Sequence, residues 1–505
     1  MTRTKSSLKN ITYAIIGQFL GILINFISRK VFVTILSSEY LGLNGLFGNI
    51  LSILTLAELG IGTSLVYSLY KPLAENDNEK VKSLMQLYKR AYTIIGVVVL
   101  CAGSVLTPFI KYFVSEMPDI NGIYIIYLMF VANAGVSYFF IYRRELIIAD
   151  QKRYIATKYR YGFYFVLNII QIVILLITHN YFLFLGIQIV FTITENIAIT
   201  QKSNKLYPYL AEKNILPLEK SETAQIKKNV MAMMFHKIGG IVVNGTDNLI
   251  IAKFINVIAV GIYSNYLLIV TAFKTIISLM FASITASLGN LNVEATDVKR
   301  EETFNNIFFI GSMIFGIIAV CLFNLFNPFI NWWLGADYLF DEATVLVIVI
   351  NVYITFMRQP CLTTRNAMGL FWYDRYKPLV ESVINIVASL ILVQRIGVAG
   401  VLIGTIISTV STCLWWEPYV LYKYGLHTKL RKYFLRYSLC AITTVVCGGL
   451  CWFLCGFIEE SGIASLLLKG LVCVFITIAI NIAVFCRSDE FKYATNLLRR
   501  FIHIK

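Results

Sequence analysis

From Ile11 to Phe485 the chain is a succession of apolar runs separated by short polar connections. Each run is about 20 residues or longer, the length at which a helix rising about 1.5 Å per residue crosses a hydrocarbon core of roughly 30 Å. The runs lie near 11–36, 41–70, 91–114, 122–142, 161–178, 181–200, 230–255, 257–288, 304–330, 343–370, 379–395, 397–422, 437–458 and 462–486. They predict an all-α polytopic membrane protein of about fourteen transmembrane helices.

Lys and Arg fall in alternate connections. They occupy the N-terminal tail, "KPLAENDNEKVKSLMQLYKR", "RRELIIADQKRYIATKYR", the 201–229 loop, "VKR" near 300, "DRYK" near 375, "KYGLHTKLRKYFLR" and the tail after Arg487. The intervening turns "SSEY", "SEMPDIN", "THN", "NWWLGADYLFDE" and "IEESG" contain neither. The positive-inside rule then predicts that both termini are cytoplasmic, and places Trp332 and Trp333 in an outer turn at the interface.

Composition agrees: of 505 residues, 58% are hydrophobic and 14% charged, and the mean hydropathy is +0.71. A formal charge of +16 raises the question of nucleic acid, but the basic residues are dispersed among short loops and form no stripe with interleaved aromatics. The basic flank Arg3, Lys5 and Lys9 precedes an apolar segment longer than a signal peptide's h-region and without a small-residue cleavage site, so an uncleaved first helix is expected.

Chemistry-bearing motifs are sparse. The ten cysteines include no Cys-x-x-Cys pair and no His at zinc spacing. Cys447, Cys451 and Cys455 recur every four residues on one helix face, a spacing that packing explains better than a metal or redox site. "GQFLG" (Gly17 to Gly21) is a small-xxx-small pattern, which lets helix backbones approach. "GLNGLFG" is glycine-dense but lacks the Lys-Ser/Thr of a phosphate loop. No ATPase, hydrolase or transferase constellation is present. Neither a cofactor nor a resident metal is expected, and the sequons at Asn10 and Asn244 fall at or inside predicted spans.

A shift of 219 residues aligns "KNITYAIIGQFLGILINFISRKVFVTILSSEYLGLNG" with "KNVMAMMFHKIGGIVVNGTDNLIIAKFINVIAVGIYS" without a gap. Lys9 meets Lys228, Asn10 meets Asn229, Gly21 meets Gly240, Ile22 meets Ile241, Asn25 meets Asn244, and Gly42 meets Gly261. Six predicted spans separate the copies, an even number, so two parallel six-helix lobes enclosing a cavity are expected. The expected divisions are an N-lobe (1–200), a cytoplasmic inter-lobe loop (201–229), a C-lobe (230–422), and two C-terminal helices with a cytoplasmic tail (423–505).

A charge kept inside a bundle, at a cost of about 2.5 to 3.5 kcal/mol on insertion scales, generally faces the interior or a water-filled cavity. Arg29 and Lys30 lie in the outer third of the first run and align with Asn248 and Leu249, one step from Asp247. Snorkelling to the outer headgroups is the competing reading for both. Glu58 lies deep in the second run beside Gly60 and Gly62, which admit close packing or water. His236 and Lys237 start the seventh run, where a cytoplasmic helix end explains them. Arg358 is near the middle of the tenth, two residues before the helix-breaking Pro360. Arg365 is nearer the cytoplasm, and Glu381 is placed to pair with either arginine. Glu195 and Lys274 remain unranked cavity candidates.

The succession "EYLGLNGLF", "ELGIG", "YKPLA" within residues 28–81, together with "TDNLIIAKFINVIAVGIYSNY" and "NAMGLFWYDRYKPLVESVINIVASL", resembles the Wzx-type polysaccharide repeat-unit flippases of the multidrug/oligosaccharidyl-lipid/polysaccharide exporter superfamily. The resemblance implies a MATE-like pair of lobes in the bacterial inner membrane. It implies that undecaprenyl-diphosphate-linked oligosaccharide is moved to the outer leaflet for capsular or other surface polysaccharide, alongside glycosyltransferases and a polymerase. In related flippases basic residues on the first helix and across the cavity contact the diphosphate or an acidic sugar, so substrate-binding roles are expected for Arg29, at the matching "ISR" position, and for Lys30, Arg358 and Arg365. Glu58, Asp247 and Glu381 are the acids expected to serve a Na+ or H+ coupling site. The lipid II flippase pattern of Arg followed by Asp on the first helix is absent. The alternative function is a multidrug/cation antiporter of the same superfamily, against which the intramembrane cations weigh.

Overall fold

The computed structural model describes residues 3–58, 61–212, 215–219, 222–224, 226, 230, 245–294, 296–459 and 462–503. Among them the regular structure is entirely helical. In a bilayer this is the only open-ended way to satisfy every backbone N–H and C=O within one segment.

The helices are α1 (Arg3–Ile35), α2 (Ser38–Leu54), α3 (Ile61–Glu75), α4 (Asn78–Leu106), α5 (Ile123–Ala149), α6 (Arg153–Thr178), α7 (Tyr181–Leu206), α8 (described at 245–254), α9 (Val257–Glu294), α10 (Asp297–Leu334), α11 (Glu342–Met357), α12 (Gln359–Ala367), α13 (Lys377–Ser411), α14 (Cys413–Leu421), α15 (Arg431–Cys455), α16 (Ile463–Phe485) and α17 (Asp489–His503). Eleven stretches among the described residues are long and apolar enough to cross a membrane. Two differences from the expected fourteen have a local cause. The 41–70 run is broken by a 3-10 turn at Thr55–Glu58, so α2 and α3 are each too short alone. The Lys377–Leu426 stretch is two crossings, because α13 contains non-helical Ile396 and Gly397. Gly397 takes φ +59° and ψ −137°, a conformation that L side chains adopt only under strain.

Packing divides the chain into Met1–Gly261 and Ile262–Lys505, so residues 245–261 pack with the first unit, beyond the 201–229 loop expected to separate the lobes. In the first unit α1 lies against α6 through a polar ladder. Tyr161 donates to Gln18 (2.8 Å), Tyr164 to Asn25, and Ser28 to Asn168 (2.8 Å). Gln18, Asn25 and Ser28 recur at one-face spacing on α1. Gly17 and Gly21 admit the Tyr161 ring to this interface rather than another backbone, which corrects the small-xxx-small expectation. The core beside it is built on stacked tyrosines of α4 and α5: Tyr88 on Tyr92 at 5.5 Å, and Tyr92 on Tyr138 at 6.2 Å.

In the second unit α10 is central, packed by α11, α15 and α16. Cys447, Cys451 and Cys455 share the buried face of α15 with Cys473 of α16 and Val320 of α10. They fill a helix seam, and among the described residues no three His, Cys, Asp or Glu gather as a metal set. Trp332 is exposed on the last turn of α10, but Trp333 is buried against Phe329, so only the first suits an interfacial belt. The tail folds as α17, held by the Arg436–Glu490 ion pair at 2.6 Å.

The repeat reaches into the helix register. Val257, Asp297 and Glu342 begin α9, α10 and α11, and each lies 219 positions after Ser38, Asn78 and Ile123, which begin α2, α4 and α5. The caps match as well. Asp77 accepts from the Lys80 N–H at 2.9 Å, and its counterpart Thr296 accepts from the Lys299 N–H at 3.4 Å. The side-chain oxygen at each start takes one of the donors that a helix leaves unsatisfied. The coincidences at Lys228, Asn229, Gly240, Ile241 and Asn244, and also His236, Lys237 and Gly60, lie outside the described residues.

Candidate functional site

Each unit holds its own buried polar cluster. In the second, Arg358 follows α11 as its C-cap, and the next helix starts with Pro360 in its first turn. Arg358 keeps right-handed helical angles (φ −76°, ψ −23°), so the helix is interrupted at this one residue before Pro360. The proline stands where a missing N–H costs least. Arg358 donates from Nε and Nη2 to the two carboxylate oxygens of Glu417 on α14, at 3.0 and 2.7 Å. This is the bidentate fork that guanidinium and carboxylate geometry favour. Lys377 at the start of α13 also donates to Glu417. Glu381, one turn further on, lies 3.8 Å from Arg358. The Glu417 side chain is 1% exposed, so its charge persists only because two cations meet it.

These four groups carry two positive and two negative charges. An anion arriving at Arg358 would therefore compete with Glu417, not fall into an unoccupied positive site. Nearby, Arg365 of α12 is buried against Asp374, in the turn before α13. Arg365 Nη2 also reaches Asn366 at 3.2 Å.

In the first unit Glu58 ends the 3-10 turn after α2 and accepts from the Tyr92 hydroxyl at 3.0 Å. Gly62, opening α3, would place a Cβ only 3.5 Å from the Glu58 carboxylate, and its carbonyl accepts from Tyr88 at 2.5 Å. The acid thus sits on the tyrosine stack with bare backbone on its other side. Arg29 is half-buried on α1 and engaged, while Lys30, one position on, is exposed and also engaged. Asp247 is half-buried in α8 and likewise has a partner. Arg144 of α5 holds Glu195 of α7 at 2.5 Å; Lys274 is exposed on α9.

Of the residues expected at a site, the structure therefore gathers Arg358 with Glu381, and seats Arg365 on a neighbouring turn. Arg29, Lys30, Glu58 and Asp247 belong to the other unit. Sequence reasoning passed over Glu417 and Lys377. The signal for Glu417 was present in "LWWEPYVLY", where one acid interrupts an apolar run that should exclude it. Lys377 was counted among loop cations.

No protein-family model matches the chain, and no curated protein sequence does. Solved structures do. The lipid II flippase MurJ in an inward closed conformation superposes with a TM-score of 0.66 at 14% identity, covering 94% of this chain and 99% of its own. An inward-facing multidrug resistance MATE family transporter of the MOP superfamily gives 0.61 at 14% identity, covering 79% and 94%. An outward-facing one gives 0.50 at 14%, covering 86% and 97%. The chain thus has the fold of MOP superfamily transporters, an all-α multi-pass membrane architecture.

Proposed function

We propose that the protein is a flippase for undecaprenyl-diphosphate-linked oligosaccharide, moving repeat units across the bacterial inner membrane for surface polysaccharide assembly by alternating access. The observation that carries this reading is coverage. The lipid flippase fold accounts for 94% of the chain, whereas the inward-facing MATE structure leaves roughly a fifth of it without a counterpart. Fold likeness alone does not assign chemistry, so the residues must agree with it. Arg29, Arg358 and Arg365 are cations kept within apolar runs, and no catalytic constellation is evident in the sequence. That pattern suits translocation of an anionic amphiphile, which breaks no bond.

In this reading Arg29 binds the diphosphate or an acidic sugar through its planar donor fork, with Lys30 adding charge. Arg365 and Arg358 are further contacts, Arg358 by exchanging Glu417 for the cargo. Glu58 and Asp247 are the acids for a Na+ or H+ coupling site, and Glu381 is the acid beside Arg358. Both termini lie in the cytoplasm.

Deleting the coding region should leave lipid-linked repeat units in the inner leaflet while their synthesis continues. Normal surface polysaccharide in a deletion strain without another flippase would overturn the assignment. In normally expressed variants, Arg29→Lys should restore only part of the transport that Arg29→Ala loses, and wild-type transport by Arg29→Gln would remove this residue from the site. If the deletion strain instead became hypersensitive to cationic drugs with its polysaccharide intact, the antiporter reading would replace this one.

A further inference from the structure

Between the first half of α4, the end of α5 and the segment after α7 lies a cavity of about 550 Å³, contained within the first unit and apart from the residues assigned above. Four cations line it: Lys82, Lys89, Arg90 and Arg143. Lys82 is already neutralised by Glu79 (2.6 Å) and Glu212 (2.7 Å). Lys89 and Arg90 are exposed on α4. Arg143 differs from these: its Nε and Nη1 are buried and have no hydrogen-bond partner among the described residues. Burying guanidinium donors unpaired costs at least the desolvation of each, so the missing element is an acceptor that no described residue supplies.

Apolar side chains complete much of the lining, including Met85, Ile94 and Leu210. Ile94 begins a stripe on α4 continued by Val97, Val98, Cys101 and Val105, all exposed. At about 1.5 Å per residue the stripe runs roughly 16 Å, close to half the thickness of a hydrocarbon core. A soluble anion would have no use for it.

We propose that this cavity binds the phosphoryl headgroup of a lipid, with the guanidinium of Arg143 and the mouth cations Lys89 and Arg90 on the phosphate oxygens and an aliphatic chain along the α4 stripe. The shared chemistry admits two sources, an anionic phospholipid or an isoprenoid diphosphate. The site goes beyond the transport reading and does not depend on it, because binding is measured without flipping.

The test is native mass spectrometry of the full-length protein in neutral detergent. Dioleoyl-phosphatidylglycerol, dioleoyl-phosphatidylcholine, farnesyl diphosphate and inorganic pyrophosphate are compared at equal concentration. Phosphatidylglycerol, farnesyl diphosphate or both should bind more tightly than phosphatidylcholine and pyrophosphate, and which of the two binds identifies the source. Arg143→Gln and the double variant Lys89→Gln/Arg90→Gln should each weaken that binding by about tenfold or more, as loss of a charged hydrogen bond does. Lys111→Gln, outside the cavity, should not. The double variant alters only exposed side chains, so its result stands even where Arg143→Gln fails to fold. Pyrophosphate binding as tight as the lipids would overturn the lipid assignment. Equal binding of phosphatidylcholine, or affinity unchanged in the double variant, would overturn the site.

Discussion

Gly42 and Gly261 face one another, and each stands over the carbonyl oxygen of the residue four positions before the other. A Cβ on Gly261 would lie 2.6 Å from the Ser38 oxygen and 3.0 Å from the Gly42 nitrogen; one on Gly42 would meet the Val257 oxygen closer still. Gly42 corresponds to Gly261 under the 219-residue shift, and Ser38 corresponds to Val257, so the contact is reciprocal: each copy of the motif seats the other. Only backbone without a side chain allows so close an approach.

Substituting Gly42→Ala should therefore destabilise the protein by about 1 to 3 kcal/mol, the usual cost of forcing atoms into a filled contact. Gly48, two turns along the same helix, has nothing within 4 Å of its Cβ position. Gly48→Ala should instead stabilise by about 0.5 to 1 kcal/mol through helix propensity. Thermal unfolding of both variants in one detergent checks the pair. Equal effects would mean that the contact does not hold these helices.

The Arg358–Glu417 fork makes a different prediction. Glu417→Gln keeps the shape but leaves Arg358 and Lys377 buried without their shared counter-charge, and breaking such a pair typically costs about 3 to 5 kcal/mol. Arg358→Gln in the same chain should recover part of the loss. A double-mutant cycle should therefore give a coupling of roughly 0.5 to 3 kcal/mol, and additive single effects would rule out the direct interaction.

Lys82 should govern the connection that follows α7. Its ammonium holds Glu212, while Ser83 beside it donates to the Leu216 carbonyl at 2.6 Å. Lys80 reaches Glu222 as well. Lys82→Met removes the central tie, so local opening should become easier and protease cleavage within 207–222 should accelerate about tenfold. Limited proteolysis followed by mass mapping reads this directly. An unchanged cutting rate would assign the anchoring to Ser83 and Lys80.

Under the transport reading, Glu58→Gln should abolish the dependence of flipping on an imposed Na+ or H+ gradient. Tyr92→Phe, which removes one donor to the carboxylate, should weaken that dependence only partly. A hydrogen bond to a charged group is worth about 1.5 to 3 kcal/mol. Gradient-dependent transport that survives Glu58→Gln in proteoliposomes would move the coupling site to Asp247 or Glu381.

Gly397→Val should cost about 1 to 3 kcal/mol, because a β-branched residue would be forced to φ +59° at the hairpin inside α13. Unfolding of the variant in detergent measures it, and a neutral result would mean that the turn relaxes into another conformation.

Much of the architecture was legible because hydropathy is imposed by the bilayer, residue by residue. Helix length was less so. A window of apolar residues reports membrane thickness, whereas α4 begins at Asn78 and α5 runs to Ala149, well outside the expected spans 91–114 and 122–142. Lys82, Lys89, Arg90 and Arg143 fall in the predicted loops but stand on helices, so the cavity they line could not be foreseen. Partnerships were less legible still. Glu417 and Arg358 are 59 positions apart on different helices, and nothing in the local pattern of either residue names the other.

The equal spacing of three helix starts also bears on history. If the two halves descend from one duplicated segment, the stretch from Ser38 to Ile123 and the stretch from Val257 to Glu342 have kept the same length while nearly all their side chains diverged. Insertions and deletions between these points must then have been rejected, or matched in both copies, although loops ordinarily tolerate them well. Length, more than side-chain identity, is what these two stretches have inherited in common.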